Sequence, residues 1–166
     1  NGFFKDEISG VKIKNKKGSD IIITDEEPLK FKKEKISNLK PAFDKNGTIT
    51  AANASSLSDG AAAVLLASKE KANEYGLKPI ARIVAHGSYA MEPLYFTKAP
   101  IYAIKKVLKA TDLNIEDIDL FEINEAFSCV PMVAIDELNI PIKKVNIHGG
   151  AVSLGHPIGA SGTRIL

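Results

Sequence analysis

The chain has 166 residues, of which 45% are apolar and 25% are charged, and its formal net charge is +2. This balance is typical of a globular domain that buries a sizeable core, and no apolar run reaches the length of a membrane-spanning helix. The single cysteine excludes a framework of disulfide bonds and favours a reducing compartment.

The first 43 residues are charged and only weakly patterned. Short strands are predicted at Val11–Ile13 and Ile21–Ile23, on either side of a turn at Lys17–Ser19. Two lysine-rich stretches flank the acidic patch Asp25–Glu27, and no aromatic stacking residues or binding motif accompany them. The alternation therefore indicates a solvated surface and argues against a nucleic-acid partner.

From about residue 46 onward, predicted strands and helices alternate, which indicates a layered α/β domain. Ser58 is a candidate N-cap for a helix over 59–75 that ends at Gly76, and the alanine-rich first half of this helix is expected to be buried. The further predicted elements are a strand at 81–85, a helix at 100–109, a strand at 120–123, a helix at 125–138, a strand at 144–148 and a helix that begins near 158.

A glycine-rich stretch, residues 149–162, surrounds a single histidine. Its glycines leave the backbone free to adopt positive φ and to approach a ligand. Pro157 restrains His156 to an extended conformation, and a histidine held in this way suits general-base chemistry. The stretch lacks the motifs of nucleotide-binding loops, so a phosphate cradle is disfavoured.

Asn124 is predicted at a second junction, where the strand at 120–123 meets the helix at 125–138. Its carboxamide can donate a hydrogen bond to an oxygen, or hold a water that does so. Asparagine is also a favoured residue at helix N-termini, so a helix cap is the alternative interpretation.

Three segments together resemble the thiolase family. They are the Asn-Glu-Ala-Phe box at 124–127, the loop Gly-Gly-Ala-Val-Ser-Leu-Gly-His-Pro-Ile-Gly-Ala-Ser-Gly at 149–162, and the stretch from Gly47 to Ser55 that continues into Asp59–Ala63. Residues 92–100 and 151–154 are most similar to the mitochondrial-type acetoacetyl-CoA thiolases.

The resemblance implies the thiolase fold, a five-layer αβαβα arrangement of two similar halves, with most of the C-terminal half supplied by this chain. Residues 1–43 would end a loop subdomain and its linker, and residues 44–166 would form a truncated C-terminal domain. The implied activity is that of an acetyl-CoA C-acetyltransferase, which makes or cleaves acetoacetyl-CoA through an acetyl-cysteine. The alternatives are a broad-chain 3-ketoacyl-CoA thiolase, or a non-catalytic module that binds CoA or an acyl group or only packs against a partner.

The resemblance also implies roles for individual residues. His156 would act as the general base and line an oxyanion hole, in which Asn124 is its partner. Ser55 matches a family position that contacts the pantetheine arm of coenzyme A, and Phe96 matches one that lines the same channel. A potassium ion would be held by the backbone carbonyls of Ala51, Ala52, Ala54 and Val152.

Thiolases use two catalytic cysteines, and the only cysteine of this chain, Cys129, matches neither position. We interpret it as a small buried apolar residue on a helix. Because the chain starts at Asn1 without an initiator methionine and stops at Leu166 inside a predicted helix, we expect a thiolase fragment that is inactive alone. His86 and His148 are assigned no catalytic role.

The partners implied by the resemblance are acetyl-CoA, acetoacetyl-CoA and the N-terminal thiolase half, in a homotetramer of the full-length protein. No covalent cofactor, nucleic acid or membrane is expected. The implied compartment is the mitochondrion, with the cytoplasm as the alternative, and neither the preferred acyl chain length nor the direction of the reaction is predicted.

Overall fold

The N-terminal part of the chain forms a β-hairpin. In the computed structural model, which describes residues 2–166, β1 (Val11–Asn15) pairs antiparallel with β2 (Gly18–Ile22). The register runs from Val11 opposite Ile22 to Asn15 opposite Gly18, so two residues form the turn. The two predicted strands are confirmed, and all their residues are exposed.

Helices provide most of the regular structure in the rest of the chain. The α-helices are α1 (Glu27–Lys30), α2 (Lys69–Glu74), α3 (Ala99–Thr111), α4 (Cys129–Leu138), α5 (Ala151–Leu154) and α6 (Ile158–Ile165). Short 3-10 helices lie at Lys33–Asn38, Pro93–Lys98, Ile115–Asp117 and Ile142–Lys144. The predicted helices at 100–109 and from 158 are confirmed, and within residues 2–166 no helix has the length and apolarity to cross a membrane.

The helix predicted over 59–75 is wrong in its first half. Helix α2 begins only after Ser68, whose hydroxyl accepts the N–H of Lys71 at 3.2 Å and so caps it. Residues 59–68 are not helical, and they are exposed, with Leu65 at 83%. Within this segment Gly60 packs closely on Pro157, since a β-carbon added to Gly60 would lie 2.6 Å from Pro157 Cγ.

The predicted strands at 81–85, 120–123 and 144–148 do not form continuous ladders among residues 2–166. One parallel bridge joins Phe121 to Val145, with Phe121 N–H donating to Lys144 O at 2.8 Å and Asn146 N–H donating to Phe121 O at 2.9 Å. The strand predicted at 144–148 is cut short on both sides. A 3-10 helix ends at Lys144, and Asn146 has a left-handed φ of 46°.

The core lies between α3, α4 and the segment around Phe121. Helix α4 buries Val130, Ala134 and Leu138, whose four-residue spacing places them on one face. The helix begins at Cys129 instead of at the predicted residue 125, because hydrogen bonds to residues 53 and 55 hold the segment before it. The buried core residues are Ile101, Phe121, Ile123, Val130, Ala134, Leu138 and Ile140.

Candidate active site

His156 lies at the end of the glycine loop, and its backbone is fixed on both sides. It forms a parallel bridge with Leu57, and its N–H donates to Ser56 O at 3.3 Å. Gly155 precedes it with φ of 96° and packs against the Ser58 hydroxyl without room for a β-carbon. The histidine therefore joins the loop to the segment at 55–58.

Both nitrogens of the His156 imidazole have hydrogen-bonding partners. Nε2 lies 3.2 Å from Asn124 Nδ2, and Nδ1 lies 2.7 Å from Ser161 Oγ on α6. The structure thus brings together the two residues that the sequence predicted as catalytic, across a separation of 32 positions. Ser161 was missed, although a hydroxyl five residues after the histidine, in a helix that starts beside it, was a usable signal.

Asn124 lies on the opposite edge of the imidazole from Ser161, and its position is fixed through the preceding residue, Ile123. The Asn146 carboxamide accepts the N–H of Ile123 at 2.8 Å and donates to its carbonyl at 2.9 Å, which clamps the backbone that leads into Asn124. Asn124 Oδ1 is buried and, among residues 2–166, has no hydrogen-bonding partner. Because Ser128 occupies the N-cap of α4, the helix-cap interpretation of Asn124 is wrong.

Glu125 links the Asn124 segment to the glycine loop. Its carboxylate accepts Asn146 Nδ2 at 2.9 Å through Oε1 and the N–H of Val152 at 3.2 Å through Oε2. Gly150 packs so closely on this carboxylate that a β-carbon would overlap it. Sequence analysis assigned neither Glu125 nor Asn146 a role in the site, because their contacts join segments more than 20 residues apart.

Ser55 lies beside the same segment. Its hydroxyl donates to Ala126 O at 2.9 Å, and its N–H donates to the same carbonyl at 3.1 Å. The adjacent residue Ala54 forms a bridge with Phe127. The predicted ligand-binding segment at 51–55 is therefore attached directly to the Asn-Glu-Ala-Phe box.

Phe96 lies on the other side of that box. Its ring is 51% exposed and meets the Phe127 ring edge-on, with 6.4 Å between centroids. Together with Asn124 it lines a mainly apolar cavity of about 330 Å³. The other lining residues are Thr97, Pro100, Ala103, Ile104, Glu122, Ile123, Ala126 and Val130.

A second cavity of about 330 Å³ opens at His156. It is lined by His156 together with Leu57, Ser58, Asp59 and Ile158. Asn124 lines the first cavity and His156 the second, so each member of the hydrogen-bonded pair borders a cavity. This arrangement can take up a proton at one wall and stabilise an oxygen with amide hydrogens nearby.

Glu122 is the titratable group of the first cavity. Burial raises the pKa of its carboxyl above the usual value, the charges of Arg164 and His148 oppose this shift, and Glu125 adds to it. Its side chain is exposed, so solvent limits the shift in its pKa.

The remaining side chains considered as candidates lie away from the imidazole. Cys129 is half-buried at the first residue of α4, instead of fully buried as the sequence suggested. His148 is exposed and stacks on Phe3, with 3.9 Å between ring centroids. In the part of the chain that the structure describes, neither residue hydrogen-bonds to His156.

Two family models of known proteins match this chain. The family model of the thiolase N-terminal domain matches residues 1–70, and the model of the thiolase C-terminal domain matches residues 77–166. The first model ends at residue 70 and the second begins at residue 77, whereas the resemblance implied that the C-terminal domain starts at residue 44. The position of that boundary stays a prediction.

Relatives and solved structures agree with the family models. The chain is 51% identical to a probable acetyl-CoA acetyltransferase of Dictyostelium discoideum, over 100% of this chain and 40% of that protein. Its backbone matches the crystal structure of the Bacillus anthracis acetyl-CoA acetyltransferase with a TM-score of 0.94 and 44% identity, covering 99% of this chain and 42% of that one. It matches the Acat5 thiolase of Ascaris suum, solved in complex with coenzyme A, with a TM-score of 0.87 and 42% identity, covering 99% and 42% of the two chains. The chain thus spans about two fifths of the length of these proteins, has the thiolase fold and belongs to the thiolase family.

Proposed function

We propose that this chain is part of an acetyl-CoA C-acetyltransferase, which joins two acetyl-CoA molecules into acetoacetyl-CoA and CoA or runs the reverse cleavage. The observation that carries the proposal is the His156–Asn124 pair at 3.2 Å, each member of which borders a cavity, in a chain with the thiolase fold. The acetyl-CoA acetyltransferases among its relatives support the choice of acyl group.

The reaction would proceed in two acyl-transfer steps. A cysteine thiolate outside this chain attacks acetyl-CoA, forms an acetyl-cysteine and releases CoA as the thiol. The second catalytic cysteine, which also lies outside this chain, then accepts a proton from the carbon next to the carbonyl of another acetyl-CoA. That carbon attacks the acetyl group, and the first cysteine leaves as its thiolate to give acetoacetyl-CoA. His156 would activate the first cysteine by accepting the proton of its thiol.

Asn124 would stabilise the oxygen on which negative charge develops. Its Nδ2 already lies beside the imidazole, and its buried Oδ1 lacks a partner among the described residues, which suits an ordered water. Such a water, held by the carboxamide, could donate to the thioester oxygen together with the imidazole. Charge on that oxygen would be stabilised most strongly where bulk water is excluded.

Coenzyme A would lie along the surface formed by 55–58 and Phe96. Ser55 donates its hydroxyl hydrogen to Ala126 O, which leaves both lone pairs of Oγ free to accept from a ligand. The second cavity is lined by Leu57 and His156. The exposed ring of Phe96 offers an apolar wall for the pantetheine arm or the acyl group.

The carbonyl groups at 51–54 fit a potassium ion. No hydrogen bond among residues 2–166 uses the carbonyl oxygen of Ala51, Ala52 or Ala54 as its acceptor. Val152 lies in the loop that His156 attaches to the same segment. These hard oxygen ligands would give the ion a binding site, and the bound ion would supply positive charge that orders the two segments.

The setting of the full-length protein belongs to the same proposal. We propose a homotetramer in the mitochondrion, with the cytoplasm as the alternative compartment. A broad-chain 3-ketoacyl-CoA thiolase is the second candidate for the activity of the full-length protein. For the isolated chain, the alternative is a non-catalytic module that binds CoA or packs against a partner.

The test is a substrate profile of the full-length thiolase subunit that contains this chain. Thiolysis of acetoacetyl-CoA should far exceed that of 3-ketoacyl-CoA substrates with longer chains. Equal rates along the series would favour the broad-chain enzyme, and binding of CoA without turnover would favour the non-catalytic module. The same assay in potassium and in sodium at matched ionic strength tests the ion, since equal rates and equal apparent affinities would remove it from the proposal.

A further inference from the structure

Ser161 is a buried hydroxyl that contacts the imidazole of His156. It is 2% exposed and lies in the middle of α6, with its Oγ 2.7 Å from His156 Nδ1. The same oxygen donates to the carbonyl of Pro157 at 3.1 Å, a carbonyl that also accepts the N–H of Ser161 at 2.9 Å. The histidine is thereby attached to the helix that follows it and not only to its own loop.

The contacts of the hydroxyl favour one ring nitrogen as the site of the proton. A serine has one hydrogen to donate, and the carbonyl of Pro157 can only accept it. Once that hydrogen points at the carbonyl, a lone pair of Ser161 Oγ faces Nδ1, and only an Nδ1–H can complete the bond.

The contact on the other side of the ring leads to the same assignment. The group that faces Nε2 is the amide nitrogen of Asn124, which can donate but cannot accept. Nε2 must therefore present a lone pair. Two independent contacts, at opposite edges of the ring, agree on a neutral imidazole with its hydrogen on Nδ1.

We propose that Ser161 is a positioning residue that holds His156 in the Nδ1–H tautomer and reserves the Nε2 lone pair for proton uptake. After Nε2 takes a proton, Nδ1–H can still donate to Ser161, so the contact persists in both protonation states. The consequence for catalysis rests on the proposed function, whereas the tautomer itself does not.

The tautomer is measured directly by magic-angle-spinning ¹⁵N NMR of the full-length protein labelled on histidine. Subtracting the spectrum of His156→Gln isolates the resonances of this ring. We expect the protonated nitrogen at Nδ1 in the wild type, a weaker preference in Ser161→Ala, where only the Asn124 contact remains, and the full preference in Ser161→Thr. Ser153→Ala is the matched control, because it removes a hydroxyl that donates to Gly150 O in the same loop.

A wild-type ring with its proton on Nε2 would overturn the proposal, as would a Ser161→Ala spectrum identical to that of the wild type. The wild-type spectrum decides the assignment even if both Ser161 variants fail to fold.

The positioning role is tested by kinetics. Ser161→Ala is expected to lower kcat about 10- to 100-fold with little change in KM, and Ser161→Thr to restore most of it. An unchanged kcat in a variant whose tautomer has changed would refute the positioning role. An Nδ1–H tautomer in a protein without transferase activity would overturn the proposed function and support this assignment.

Discussion

Two regions of the chain differ in whether their apolar side chains are buried or exposed. In residues 99–166, the side chains of Ile101, Phe121 and Ala134 are buried in one cluster, and Asn124 directly follows another member of that cluster, Ile123. In residues 59–85, Leu65, Ile80 and their apolar neighbours lie at the surface. The difference shows that the histidine half of the site builds its own support, whereas the other region presents apolar surface that would need a covering partner.

The largest effect is expected from isolating the chain. The 166-residue chain should not cleave acetoacetyl-CoA, since the acetyl-enzyme step needs a thiolate and Cys129 lies at the start of α4 without a bond to His156. Exposed apolar residues such as Leu65 should make the isolated chain self-associate, and Leu65→Lys should reduce this self-association. Light scattering and an assay against a boiled control check this, and activity above the control would refute it.

The next effect concerns the packed region. In the full-length protein, His156→Ala should lower turnover by about 100- to 10,000-fold, the range for losing a positioned base and an oxyanion donor. Asn124→Ala should cost less, because a water can partly replace the amide. His86→Ala is the control in the exposed region and should change turnover little. A His156→Ala enzyme with near wild-type turnover would show that the site is elsewhere.

A pair of glycines sharpens the comparison within the loop. Gly150→Ala should destabilise the fold by about 1–3 kcal/mol, because the new methyl would displace the Glu125 carboxylate from its two hydrogen bonds. Gly159→Ala in α6 meets nothing within 4 Å and should stabilise by about 0.5–1 kcal/mol. Urea unfolding of both variants decides the matter, and equal effects would contradict the packing around Glu125.

The smallest effect is the pH dependence that comes from Glu122. Burial raises its folded-state pKa above the unfolded value, so ionisation destabilises the fold as the pH rises through that interval. Glu122→Gln should therefore raise the melting temperature slightly at pH 7 and leave it unchanged at a pH below the unfolded value. A lower melting temperature at pH 7 would mean that attraction to Arg164 outweighs the burial term.

Local sequence rules succeeded where neighbours in the chain determine the structure. The hairpin around residues 16 and 17, helix α3 after Lys98 and helix α6 after Pro157 follow from turn and helix-start signals. The rules failed at 59–68, where an alanine-rich segment is exposed and does not form a helix. They also failed at 144–148, where strand-forming residues end in the left-handed Asn146.

The sequence by itself determined the family and two candidate residues, His156 and Asn124. Both lie in distinctive motifs, the glycine-rich loop at 149–162 and the Asn-Glu-Ala-Phe box at 124–127, which are recognised without coordinates. Only the tertiary structure decided how these residues are supported. The contacts of Ser161 with the ring, of Asn146 with the strand before Asn124 and of Glu125 with the glycine loop join segments whose pairing depends on backbone geometry. Hydrogen bonds of this kind act over about 3 Å and at fixed angles, so no pattern of residue types along the chain specifies them.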